Sequence, residues 1–123
     1  MKLLIVDDSI SARFFLKSCI AEHREYEIYE ATNGKDGVDS FREHRPKITF
    51  LDITMPVMDG FEALKEIKSV DPEALVIILT SDIQKKTTQR IMDLGAFQFL
   101  GKPPTREKIE EALIQAEEKL RHG

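Results

Sequence analysis

The chain has 123 residues, 41% hydrophobic and 33% charged, with a formal net charge of −4. That length suits one domain that buries a core without metal or disulfide staples, and the single cysteine, Cys19, excludes an intrachain disulfide. The acidic balance argues against nonspecific nucleic-acid binding, which needs a basic face.

The chain opens on "KLLIV" (2–6), an apolar strand-like run that stops at Asp7 and Asp8. Its apolar core is far shorter than the about 7 to 15 residues of a signal h-region or the about 20 of a membrane helix. The expectation is therefore a cytoplasmic protein with no membrane insertion. Ser9 can cap a first helix, in which Ala12, Phe15, Leu16, Cys19 and Ile20 form one apolar stripe at helical spacing. Cys19 on that stripe reads as a small core residue. Ile10 and Phe14 lie on the opposite side of the wheel, either as ordinary surface apolar residues or as a docking patch. "YEIYEA" (26–31) is a second strand, and Asn33 can cap the helix after it.

"KITFL" (47–51) is the third strand and ends at Asp52. A loop containing Pro56 and Gly60 follows, and "DGFE" (59–62) has the spacing of a capping box. "ALVIILT" (74–80) is the fourth strand, and Ser81, with Gln84 three residues on, is read as the next helix cap. That helix begins "QKKTTQR" (84–90), with no apolar anchor for seven residues, so it can shift at modest cost. Its Lys85, Lys86 and Arg90 read as a solvated face or as a selector of an acidic partner. "FQFL" (97–100) is the fifth strand, followed by Lys102 and Pro103. Thr105 can cap a last helix whose stripe is Ile109, Ala112, Leu113, Ala116 and Leu120.

Strict βα alternation with strands apolar on both faces predicts a doubly wound, five-stranded parallel α/β sheet with five helices. No linker, repeat or low-complexity tract divides residues 1–123, which are read as a single domain. In such a sheet all strands end at one edge, where ligands bind. With the first strand beside the third, Asp7, Asp8, Asp52, Thr80 and Lys102 share one pocket. Clustered carboxylates repel, and one pKa rises unless a cation sits among them. Mg²⁺, for which Mn²⁺ can substitute, suits an all-oxygen donor set that leaves room for phosphate oxygens. Metal, ammonium and hydroxyl together provide what a transferring phosphoryl group needs. Asp52 is the candidate nucleophile, since Asp7 and Asp8 are better explained as the metal shell.

"VDDS" (6–9), "FLDITMPVMDG" (50–60), "ILTS" (78–81) and "FLGKP" (99–103), each in its βα context, resemble a response-regulator receiver domain of the CheY type, over essentially the whole chain. The resemblance implies strand order 2-1-3-4-5. It implies that Asp52 accepts phosphate from a phosphohistidine on a sensor histidine kinase or histidine phosphotransfer protein. Asp7, Asp8, Asp52 and the backbone carbonyl of Thr54 would hold Mg²⁺, and Thr80 and Lys102 would contact the phosphoryl oxygens. Thr80 and Phe99 would be the switch pair, changing a downstream protein's binding to the face made by the fourth helix, fifth strand and fifth helix. Pro103 would follow a cis Lys-Pro bond. Thr54 and Asp82 would tune phosphate lifetime, in a direction left open. Ile10 and Phe14 would be the donor-docking patch. The protein would be a monomer able to dimerise on phosphorylation, assisting its own phosphotransfer and dephosphorylation without being an enzyme. "KPP" (102–104) stands where the family often has "KPF".

Two other readings compete. A Mg²⁺-dependent phosphatase of the haloacid-dehalogenase type shares the chemistry. Its nucleophile, however, follows the first strand, and a second Asp sits where this chain has Thr54. A receiver-like module that never carries phosphate is disfavoured because the five key positions are filled. Motility control and a phosphorelay step both fit the receiver reading.

Overall fold

The computed structural model describes residues 1–22, 25–54 and 58–122. The loop proline Pro56 lies outside them. Strands β1 (Lys2–Val6), β2 (Glu27–Ala31), β3 (Ile48–Asp52), β4 (Leu75–Thr80) and β5 (Gln98–Gly101) alternate with helices α1 (Ile10–Ala21), α2 (Gly34–His44), α3 (Gly60–Val70), α4 (Lys85–Asp93) and α5 (Arg106–His122). The sheet is parallel, in the order β2-β1-β3-β4-β5.

Alternation along the strands divides the core into two layers. Leu4, Val6, Leu51, Val76 and Ile78 face α2 and α3, with Ile91 the one buried residue of α4. Leu3, Ile5, Phe50, Ile77 and Leu79 face α1 and α5, meeting Leu16, Cys19, Ile20, Ile109, Ala112, Leu113 and Ala116. Ala12, Phe15 and Leu120 of the expected stripes are only half-buried. Thr49 is the exception in β3: it is fully buried, and its hydroxyl has no hydrogen-bond partner among the described residues.

Most helix starts follow the expected caps. Ser9 Oγ accepts from the Ala12 N–H, Asn33 Oδ1 from Asp36, Asp59 Oδ1 from Glu62 and Thr105 Oγ1 from Lys108. Ser81 does not cap α4. The helix starts three residues later, with Gln84 at the N-cap and no side-chain cap bond from it. Asp82 serves instead: its carboxylate accepts from the Gln84 N–H at 3.0 Å and from the Thr87 hydroxyl at 2.6 Å. A negative group there also offsets the helix dipole, which Lys85 and Lys86 oppose.

Gly60 sets how α3 meets the end of β3. A Cβ at this position would lie 2.3 Å from Ile53 Cα and 2.7 Å from the carbonyl oxygens of Asp52 and Ile53. Without one, the Gly60 N–H donates to the Ile53 carbonyl at 2.9 Å. The start of α3 is thus held against Asp52 and Ile53 at the end of that strand.

Candidate functional site

Val6 pairs with Leu51 across β1 and β3. One step on, Asp7 and Asp52 stand side by side at the carboxyl edge of the sheet, both buried. Asp8 follows on the surface. One carboxylate oxygen from each of the three lies within 4.8 Å of the others. This all-oxygen cluster, two acids buried and one at the mouth, fits a hard divalent cation.

Lys102 reaches into the cluster from the end of β5. Its Nζ donates to Asp7 Oδ2 at 2.8 Å and to Asp52 Oδ2 at 3.1 Å. The Lys102–Pro103 bond is cis. The other Asp52 oxygen accepts the Thr54 N–H at 3.2 Å. Burial pushes the Asp52 carboxyl above the ordinary range, and the neighbouring Asp7 charge adds to that rise. The Thr54 N–H and the Lys102 ammonium only partly offset them. For Lys102, burial acts against the charged form, but its bonds to Asp7 and Asp52 outweigh burial and raise its pKa. The ammonium therefore relieves part of the carboxylate repulsion expected from sequence, while Asp52 still carries a net penalty when ionised.

Thr80 ends β4, paired with Gly101, and is buried. Its hydroxyl donates to the Asp82 carbonyl at 3.1 Å and accepts the Asp82 N–H at 3.0 Å. It is engaged with the start of the β4–α4 loop and not with the Asp52 carboxylate. The Asp82 carboxyl lies below the ordinary range because Thr87 and Gln84 donate to it. The side chain expected to face the phosphoryl site is thus committed to the first turn of α4.

Phe99 is 37% exposed on β5, in a groove with Ile83, Pro104 and Lys108. Ile10 and Phe14 are 76% and 70% exposed on the outer side of α1. Arg90 of α4 stacks over the Phe61 ring of α3, 3.8 Å from its centroid, a contact that tethers α4 near the loop after β3.

One group was missed in the sequence. Arg13 of α1 donates from Nη1 to the Asp7 main-chain carbonyl at 2.8 Å and from Nε to Glu30 on β2 at 3.0 Å. Lys17 also donates to Glu30, at 2.9 Å. Burial alone would raise the Glu30 carboxyl, but the two cations outweigh it and hold it below the ordinary range. Only the helical spacing of Arg13 and Lys17, one turn apart, hinted at a shared partner.

Comparison with known proteins follows from this geometry. A family model described as the response regulator receiver domain matches residues 3–114. The chemotaxis protein CheY of Bacillus subtilis (strain 168) is 36% identical over 112 residues, covering 91% of this chain and 93% of the relative. The sporulation initiation phosphotransferase F of the same organism is 34% identical over 112 residues, covering 91% and 90%. Among solved structures, one of the CheX–CheY–BeF3–Mg²⁺ complex from Borrelia burgdorferi superposes with a TM-score of 0.87 at 30% identity, covering 94% of this chain and 87% of that one.

Proposed function

The chain belongs to the response-regulator receiver family of two-component signalling proteins, and on that premise we propose that Asp52 is its phosphoacceptor. The observation that carries the reading is the buried Asp7–Asp52 pair bridged by half-buried Lys102, with Asp8 at its mouth. Asp52 would attack the phosphorus of a phosphohistidine on a sensor histidine kinase or phosphotransfer protein. An O–P bond forms as the P–N bond breaks, and the ring nitrogen keeps the electron pair. Asp7, Asp8, Asp52 and the Thr54 carbonyl would hold Mg²⁺. When bound, the ion supplies positive charge against the phosphoryl oxygens. Lys102 already points between Asp7 and Asp52, so it can pass to a phosphoryl oxygen with little reorganisation.

Thr80 has a choice of partners. In the present arrangement its hydroxyl is bound to the Asp82 backbone. Turning to a phosphoryl oxygen would release that loop, and with it the start of α4. Phe99, now outward, would move into the space Thr80 vacates. The face of α4, β5 and α5 would then bind a different protein partner. Thr54, beside Asp52, would help set phosphate lifetime; Asp82 would do so once its carboxylate leaves Gln84 and Thr87; and Ile10 and Phe14 would dock the donor.

The whole chain is one such domain in this reading. It is supported by Ala116, which is buried against the sheet two residues beyond the family match. The near-equal identity to a chemotaxis protein and a sporulation phosphotransferase leaves motility and relay outputs equally compatible. The phosphatase alternative is not favoured by any of these comparisons.

Incubation with acetyl phosphate and Mg²⁺ followed by intact mass tests the chemistry. One phosphoryl adduct is expected, absent in Asp52→Asn and absent with EDTA. An adduct that survives Asp52→Asn would place the acceptor elsewhere.

A further inference from the structure

Asp7 and Asp8 are held in different ways. Asp7 is fixed at every polar atom. Its N–H donates to the Ala31 carbonyl at 3.1 Å, its carboxylate accepts from the Ser9 N–H and Lys102, and its carbonyl accepts from Arg13. The Asp8 side chain is exposed and makes no hydrogen bond or ion pair among the described residues. Its direction depends on the backbone that precedes it, and the Asp7–Asp8 peptide is the group that Arg13 grips.

We propose that Arg13 is a positioning residue for the cation site: its guanidinium clamps the Asp7–Asp8 peptide and so aims the Asp8 carboxylate, which no other side chain among the described residues holds. This rests on reading the acidic cluster as a Mg²⁺ site. The clamp is itself anchored. The Arg13 side chain is only 13% exposed, and its second donor is tied to Glu30 at the end of β2, the strand that also receives the Asp7 N–H. Lys17 steadies Glu30 from the next turn of α1. The chain Lys17–Glu30–Arg13–Asp7 carbonyl is thus an outer support for a metal ligand. Supports of this kind fix ligand orientation, and their loss weakens metal affinity by about 10- to 100-fold.

Charge makes the test decisive in sign. Arg13 is a cation beside a cation site, so on Coulomb grounds its removal tightens Mg²⁺ binding. Loss of a clamp weakens it. The measurement is a Mg²⁺ titration of the full chain followed by amide chemical shifts, on wild type, Arg13→Met, Glu30→Ala and Asp8→Ala. Arg13→Met keeps the aliphatic stem and is expected to raise the Mg²⁺ Kd about tenfold. Its phosphorylation by acetyl phosphate should recover as Mg²⁺ is raised. Glu30→Ala leaves the Arg13 charge in place and frees one anchor. A smaller rise is expected, persisting at high salt, where the lost charge is screened. Mg²⁺ binding by Arg13→Met as tight as wild type, or tighter, overturns the proposal. Should Arg13→Met not fold, Glu30→Ala decides: an unchanged Kd at high salt overturns it equally. If wild type shows no Mg²⁺ response, or Asp8→Ala binds as wild type does, the metal reading of the cluster falls and the clamp falls with it.

Discussion

The two sides of the Asp52 edge are built differently. On one side, β1 and β3 are buried along nearly their whole length, and α1 and α3 each bury several residues against them. On the other, α4 buries Ile91 alone, and its first turn hangs on the Asp82 carboxylate. Asp7, Asp8 and Asp52 sit on the firm side, and Thr80 stands at the border, bonded to the loop that leads into α4. Phosphoryl chemistry needs groups held to within fractions of an ångström. A signal needs an element that moves for a small change in free energy. On the proposed function, the two demands would fall to the β1–β3 edge and to α4 respectively.

The comparison breaks most sharply at Gly60. Gly60→Ala pushes a methyl into the backbone of Asp52 and Ile53, at the end of β3, and should destabilise by about 1–3 kcal/mol, read by urea denaturation. It should also slow phosphorylation, because the close approach of Gly60 to the Asp52 and Ile53 backbone must open. A wild-type midpoint would show that the junction is not tight. Thr49→Val sharpens the same side in the opposite direction. Removing a buried hydroxyl that has no partner should stabilise by about 1–2 kcal/mol. A loss of stability would mean that the hydroxyl does find a partner.

The carboxylate cluster gives a condition-dependent case. The Asp52 pKa is raised by folding. Its stabilising contribution is therefore fully present below the ordinary carboxylate pKa and is lost as pH rises through the raised one. In EDTA, Asp52→Asn should melt no higher than wild type in acid and higher at neutral pH. Asp8→Ala should give a smaller neutral-pH gain, since Asp8 is exposed. With Mg²⁺ the order should reverse, because binding stabilises only the intact site. Lower melting points for both variants in EDTA at neutral pH would refute the repulsion argument. The smallest effect belongs to the loose side. Thr87→Val removes one bond to Asp82 and should speed amide exchange in the first turn of α4 several-fold while leaving β1 and β3 unchanged. Exchange unaltered in α4 would show that another contact holds the helix.

What sequence makes legible here is what local rules govern. The strand runs and the caps at Ser9, Asn33, Asp59 and Thr105 depend on residues within three or four positions. The strand ends that deliver Asp7, Asp52 and Thr80 to one edge follow from βα alternation. The start of α4 was misplaced because Ser81 and Gln84 mimic a capping box. Thr80 turns the chain through the Asp82 backbone before the helix begins, and only the turn geometry reveals Asp82 as the cap. Arg13 escaped notice because its partners come from separate elements, the loop after β1 and the end of β2. The unpaired Thr49 hydroxyl was invisible for a similar reason, since threonine in a strand is ordinary by propensity. In sequence Gly60 reads as a loop residue, whereas it opens α3 and lets two backbones touch.

The division between a firm edge proposed for phosphoryl transfer and a loose one proposed for signalling is tested most directly by amide hydrogen exchange with and without beryllofluoride and Mg²⁺. The account predicts changed protection in the loop after β4, in α4 and at Phe99, with β1 and β3 protected equally in both states. Changes centred on β1 and β3, with α4 unmoved, would contradict it.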